Sequence, residues 1–254
     1  MRKTVAALTA VLMLSLAALA YAQAVENTYK VTGKTSPTRS GSKAKPVPVS
    51  VSFGYEVGEV SGNRPSPVKT YSIRFAGLRA NTAAFPKCSV ETLEREQSVD
   101  GCPKGSIVGD GFIENATGIK SDVKDRSVEC NAALWVVNSG GGKGAIFVKG
   151  SPTSTDPRTK CAIPLAAPIP AKFFNKGNEG RLEFTVPVTL LHPAPTLDNA
   201  VVKVTSRIKN VKAKGKGFFE SIGGCTGGKR KVSVVFTPET GAEKTATTQA
   251  SCSK

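Results

Sequence analysis

Apolar and polar residues alternate over much of this chain with the period of a β-strand, in which successive side chains face opposite sides of a sheet. In the run 49–55, Val49, Val51, Phe53 and Tyr55 share one face. In the next, Tyr71, Ile73 and Phe75 share a face, with Ser72 and Arg74 opposite. The longest run spans Arg181 to Leu190. There Leu182, Phe184, Val186, Val188 and Leu190 point one way, and Arg181, Glu183, Thr185 and Thr189 point the other. Further strands are predicted over 107–113, 133–137, 145–149, 201–209 and 231–236, with a first one near Tyr29 to Thr32. One helix is predicted, from Val90 to Gln97, where Val90 and Leu93 fall on one side.

Turn residues separate these runs. Ser139-Gly-Gly-Gly-Lys-Gly144 lies between two apolar segments and reads as a hairpin connection. It is not a phosphate loop, because Val137 stands where the first glycine of that motif belongs and Gly144 follows the lysine. Asp100-Gly101 and the stretch Thr237 to Gly241 are also turn signals. The stretch from Ile163 to Pro170 holds Pro164, Pro168 and Pro170, and proline lacks the ladder donor. It is predicted to be an extended connection and not a central strand. The fold class that follows is all-β, an antiparallel β-sandwich or a jelly-roll-like pair of packed sheets with little helix.

The two ends of the chain refine the domain reading. Met1-Arg2-Lys3 precedes an apolar run from Val5 to Ala20, and small residues follow it. A basic head, a short apolar centre and an A-x-A exit predict a signal peptide over 1–22, cleaved after Ala22 or Ala24. The run is shorter than the roughly 20 residues of a membrane-spanning helix, so no transmembrane anchor is expected. Residues 23–47 read as an N-terminal strand followed by a basic, Ser/Thr-rich flexible segment. Residues 48–254 read as one sandwich domain, or as two sandwich-like halves meeting near 164–170. The expected location is secreted or extracytoplasmic.

The six cysteines, Cys88, Cys102, Cys130, Cys161, Cys225 and Cys252, all lie beyond the leader. An even count in an exported chain predicts disulfides. Six cysteines allow 15 connectivities, among which sequence alone does not select; the expected one is pairing in chain order, Cys88 with Cys102, Cys130 with Cys161 and Cys225 with Cys252, which closes one local excursion per bridge. A structural metal is not expected, because no two cysteines are closer than 14 positions and His192 is the single histidine. Phe85-Pro-Lys-Cys88 followed by Cys102-Pro-Lys-Gly-Ser-Ile-Val-Gly-Asp-Gly111 resembles a pattern in uncharacterised secreted proteins of high-GC actinobacteria. The resemblance implies an exported β-rich protein with its two motif cysteines bridged, and it implies no catalytic residue, cofactor or substrate.

Charge adds the most specific feature. The formal net charge is +16, and +14 remains once Arg2 and Lys3 leave with the leader. Residues 201–231 hold Lys203, Arg207, Lys209, Lys212, Lys214, Lys216, Lys229, Arg230 and Lys231 against Glu220 alone, a net of +8. Residues 34–45 add Lys34, Arg39, Lys43 and Lys45 with no acid, so two segments carry +12. Along a strand, Lys203, Thr205, Arg207 and Lys209 share a face, and after a bulge at Asn210 so do Lys212, Lys214 and Lys216. This predicts a basic ladder with rungs about 6–7 Å apart. Such a ladder suits an anionic envelope polymer or membrane surface, or serves only as a solvated edge that resists aggregation. Nucleic acid is not an expected partner, because no aromatics interleave with the lysines for base stacking.

Catalytic patterns are sparse. His192 sits in a Pro-rich turn and reads as structural or exposed. There is no G-x-S-x-G, H-E-x-x-H or EF-hand pattern. Glu91, Glu94, Glu96 and Asp100 cluster locally around Arg95 and read as a solvated loop, although paired carboxylates of a glycosidase kind would not show in sequence. Trp135 is the only tryptophan and is predicted to be in the core, and Asn115-Ala-Thr117 matches a glycosylation sequon. No cofactor is implied. The chain is expected to be a non-catalytic secreted or envelope-associated protein. A secreted hydrolase on a jelly-roll scaffold, or an assembly module with a protein partner, is the alternative.

Overall fold

A computed structural model describes residues 26–253, and the leader expected over 1–22 lies outside them. The strands are β1 (Asn27–Ser36), β2 (Val47–Glu59), β3 (Val68–Ala76), β4 (Leu78–Ala80), β5 (Ile107–Ile119), β6 (Ala132–Gly140), β7 (Lys143–Gly150), β8 (Leu165–Lys176), β9 (Glu179–Thr185), β10 (Leu197–Ile208), β11 (Lys212–Ala213), β12 (Lys216–Gly217), β13 (Phe219–Ser221), β14 (Lys229–Pro238) and β15 (Lys244–Ser251). Two short helices interrupt them, α1 (Val90–Glu96) and α2 (Val188–Leu191). Thirteen strands form one antiparallel sheet in the order β15-β14-β3-β9-β8-β7-β6-β5-β10-β2-β13-β4, with β1 also on β2.

That sheet rolls over so that its two ends face each other as the layers of a sandwich. Phe53 of β2 meets Phe75 of β3 edge-on at 5.7 Å, Tyr55 meets Phe236 of β14 at 5.4 Å, and Tyr29 of β1 stacks on Phe236 at 4.2 Å. The first and last strands close the roll. Glu26 pairs with Lys244 at one end. At the other, Ser40 N–H donates to Ser253 O and Ser253 N–H to Thr38 O. The inward faces are those the alternation predicts: Val49, Val51, Phe53, Tyr55 and Val57 on β2, and Tyr71, Ile73 and Phe75 on β3, are all buried. Of the two expected architectures the sandwich is observed. Strands β5 to β9 follow one another side by side as a meander, unlike the crossed connections of a jelly roll.

All three disulfides pair in chain order, Cys88–Cys102, Cys130–Cys161 and Cys225–Cys252. The first encloses α1, whose N-cap Ser89 Oγ accepts from Thr92 N–H. Leu93 of α1 is fully buried on the outer face of the sheet, against Val137, Ala145 and Phe147. This covering explains why β7 is apolar on both faces. Trp135 belongs here, half-buried beside Phe147, and not in the main core as predicted.

Two other expectations need correction. The run from Arg181 to Leu190 is a strand only as far as Thr185. Pro187 then caps α2, which turns Leu191 into the core. Residues 165–170, expected to be a connection, are the first half of β8. They pair with β7 alone, because β9 joins only from Ala171 onward. Phe173 N–H donates toward β7, to Gly142 O. By alternation Pro168 and Pro170 turn their donorless nitrogens to the edge that has no partner strand.

Candidate functional site

Strand β10 lies between β2 and β5, with Val204 and Ile208 buried and Thr205 and Arg207 exposed. Its outer face is not uniformly basic. Lys203 Nζ is 3.0 Å from Glu114 of β5, and Lys209 Nζ is 2.5 Å from Asp110 of the same strand. Glu56 of β2 stands opposite Lys203 on one side and pairs with Lys30 of β1 on the other, at 3.6 Å. The row Lys30, Glu56, Lys203, Glu114 therefore alternates in sign across four strands. The hydrogen bond and charge of Glu114 push the Lys203 ammonium above its ordinary value. Arg207 makes no ion pair among the described residues.

The predicted ladder also stops at Ile208, where β10 ends. Residues 212–217 form the separate β11–β12 hairpin and not a bulged continuation. Lys214 and Gly215, with φ of 50° and 74°, make the tight turn whose left-handed backbone fits the twist of a two-residue hairpin. Lys212, Lys214 and Lys216 are exposed on it without acidic partners among the described residues. Phe218 and Phe219, both fully buried, anchor its base.

This anchoring brings the second basic segment alongside. Asn210 Nδ2 donates to Pro48 O at 3.4 Å, and a Cβ on Gly217 would lie 2.7 Å from Pro48 Cβ. The segment 37–46 leads directly into Pro48, and Gly223 N–H donates to Ser40 O. Gly77, at φ 71°, turns the chain from β3 into β4 against Gly223, where a Cβ would meet the Gly223 carbonyl oxygen at 2.0 Å. The loops 37–46 and 209–217 thus share one end of the sandwich. They hold Arg39, Lys43, Lys45, Lys209, Lys212, Lys214 and Lys216 and contain no acid.

Glu220, the one acid in 201–231, does not offset this charge outward. It is 2% exposed, with Oε2 2.7 Å from Arg79 Nη2 and Oε1 accepting from Gly217 N–H. Burial alone would raise its pKa, but the bonds from Arg79 and from backbone outweigh burial and hold the carboxyl below its ordinary value.

The opposite end carries a different arrangement that the sequence did not suggest. His192 Nδ1 lies 2.8 Å from Asp198 Oδ1, and Nε2 lies 3.0 Å from Glu239. Each ring nitrogen faces a carboxylate oxygen. Arg64, 4% exposed, donates to the carbonyls of Ile119, Asp122 and Asp125 and stands 3.8 Å from Asp198. Among the described residues the imidazole bonds to these two carboxylates and to no hydroxyl or thiol. The two carboxylates bond to opposite sides of the ring, so the imidazole lies between them. Glu91, Glu94, Glu96 and Asp100 are exposed on and after α1. Asn115 turns inward, with Nδ2 donating to Cys130 O, so its sequon is not presented to solvent.

Among the described residues no helix is long and apolar enough to cross a membrane, and no cluster of three His, Cys, Asp or Glu could hold a metal. No protein-family model, curated protein or solved structure matches the chain.

Proposed function

We propose that this is a non-catalytic secreted or cell-envelope protein that holds an anionic envelope polymer against its basic end. One observation carries the reading: two acid-free basic loops, distant in sequence, are brought to one end by the contacts at Pro48 and Ser40. Their lysines extend from tight turns into water, where a flexible polyanion can reach several at once. The row on β1, β2, β10 and β5 is charge-balanced, so Lys203 and Lys209 support the site less than Lys43, Lys45, Lys212, Lys214 and Lys216. Three disulfides fit an oxidising compartment and a protein that must persist there.

Retention of the oxidised mature protein on immobilised polyphosphate, across a salt series, tests this. Binding should be firm at low salt and fall steeply as salt rises. Changing those five lysines to Gln should weaken it by about tenfold or more. A Lys120→Gln/Lys124→Gln control at the opposite end should leave it unchanged. The reading fails if low-salt binding is absent or the fivefold variant binds as well as the parent. Preference for phosphatidylglycerol vesicles over the polymer would reassign the partner to a membrane surface.

A further inference from the structure

Between the layers, enclosed by β2, β3, β5 to β10 and α2, lies a cavity of about 100 Å³. No charged side chain lines it. Its polar groups are few, and most are already bonded. Asn199 Oδ1 accepts from Thr117 and Asn199 Nδ2 donates to Leu190 O, while Ser206 Oγ donates to Phe53 O. Two are left over. The Tyr71 hydroxyl, on a side chain 1% exposed, makes no hydrogen bond of full geometry, its one polar contact of that kind being a loose one to the Tyr55 phenol. The Asn115 Oδ1 acceptor is also buried and unpartnered. An unmade hydrogen bond in apolar surroundings is a free-energy cost that an occupant can relieve.

One edge of the wall lacks a partner strand. The first half of β8 has no strand on its proline-bearing edge, and a second cavity of about 290 Å³ lies there against the Cys130–Cys161 bridge and Pro193. Leu165, Leu190 and Asn199 line both spaces, so three side chains form the partition between the interior and this vestibule.

We propose that the interior is a binding site for a small, neutral, largely apolar molecule with one hydroxyl or carbonyl oxygen, reached through the vestibule beside β8. Tyr71 donates to that oxygen, and a ligand hydroxyl can in turn donate to Asn115 Oδ1. A carboxylate is excluded, because nothing charged lines the space to compensate it. Burial pushes both the Tyr55 and Tyr71 phenols up, which keeps them as protonated donors. A volume of this size takes about four non-hydrogen atoms, by comparison with an apolar cavity of about 150 Å³ that accepts benzene. The site is independent of the basic end.

Acetone and 2-methylpropane, of four non-hydrogen atoms each, serve as probes, titrated into the oxidised mature protein by calorimetry. The ketone should bind saturably and more tightly than the hydrocarbon, and acetate should not bind. Tyr71→Phe keeps the shape and removes the donor, so it should reduce the preference for the ketone by about tenfold. Ala132→Leu, which places a larger side chain in the cavity, should abolish binding of both while circular dichroism shows a folded protein. No saturable binding of acetone to the parent overturns the proposal. So does undiminished binding to folded Ala132→Leu, or an unchanged preference in Tyr71→Phe.

Discussion

Each end of the sandwich buries an arginine, and the two ends treat it differently. Arg64 sits among three backbone carbonyls with Asp198 behind them, and its loops interleave acids with bases, Glu59, Asp122, Asp125 and Glu129 against Lys120, Lys124 and Arg126. Arg230, at the basic end, is 1% exposed and donates one hydrogen bond, from Nη2 to Ser221 Oγ at 2.8 Å. Its Nε and Nη1 have no partner, and no carboxylate pairs with it among the described residues. Across the layers Tyr29 stacks on Phe236 and Gly33 abuts Val232, a register that sets Thr35 opposite Arg230. Thr35 Oγ1 is likewise buried and unpartnered. A buried guanidinium is therefore not one thing: Arg64 holds loops together, while Arg230 is tolerated by the packing around it.

Substitution of the two residues should separate these roles. Arg64→Met should cost the most, about 3–5 kcal/mol in denaturant unfolding, because it strands three carbonyls and Asp198. A loss below about 1 kcal/mol would mean that the loops hold without their cation. Next comes Glu220, the buried acid of the basic end. Its folded pKa is depressed, so its contribution is present above the unfolded carboxyl value near 4.3 and lost as pH falls through the folded value. Glu220→Gln should lower stability at neutral pH by about 1–2 kcal/mol, a figure discounted because Arg79 is one-third exposed. It should also flatten the decline between about pH 5 and pH 2 in thermal melts. An identical acid decline in parent and variant would remove Glu220 from this account. Arg230→Met should change least, neutral or stabilising by about 1 kcal/mol, since it removes an uncompensated cation. A loss as large as that of Arg64→Met would erase the contrast between the ends.

What could be seen in the chain beforehand follows from how local each signal is. Strands β2 and β3 announced themselves because one face is aromatic or aliphatic and the other polar. Strand β15 did not, because Lys244 to Ser251 is mostly Thr and Ala, with little contrast between its faces. Strand β8 was hidden by its prolines, whose tolerance depends on an edge that only β9's late start leaves unpaired. Lys203 of β10 and Lys209 just beyond it do face outward as their spacing predicts. Their neutralisation by Glu114 and Asp110 is a cross-strand fact, set by pairing with β5 some 90 positions away. The Asp198–His192–Glu239 grouping and both arginines lie in or beside turns, where charge normally signals exposure, so burial there leaves no periodic trace.

Closure of the sheet has a consequence for the order of events as the chain is made. Synthesis delivers β1 and β2 first, yet the layer over Tyr29 and Tyr55 contains Phe236 of β14, which arrives near the end. Strand β14 must also fit between β3, far upstream, and β15, which follows it. Until residues 229–238 are available, β3 presents a bare edge and the aromatics of β1 and β2 are uncovered. The C-terminal strands are the closing stave of this wall, and delay in placing them prolongs the period in which the nascent chain is open to aggregation and proteolysis.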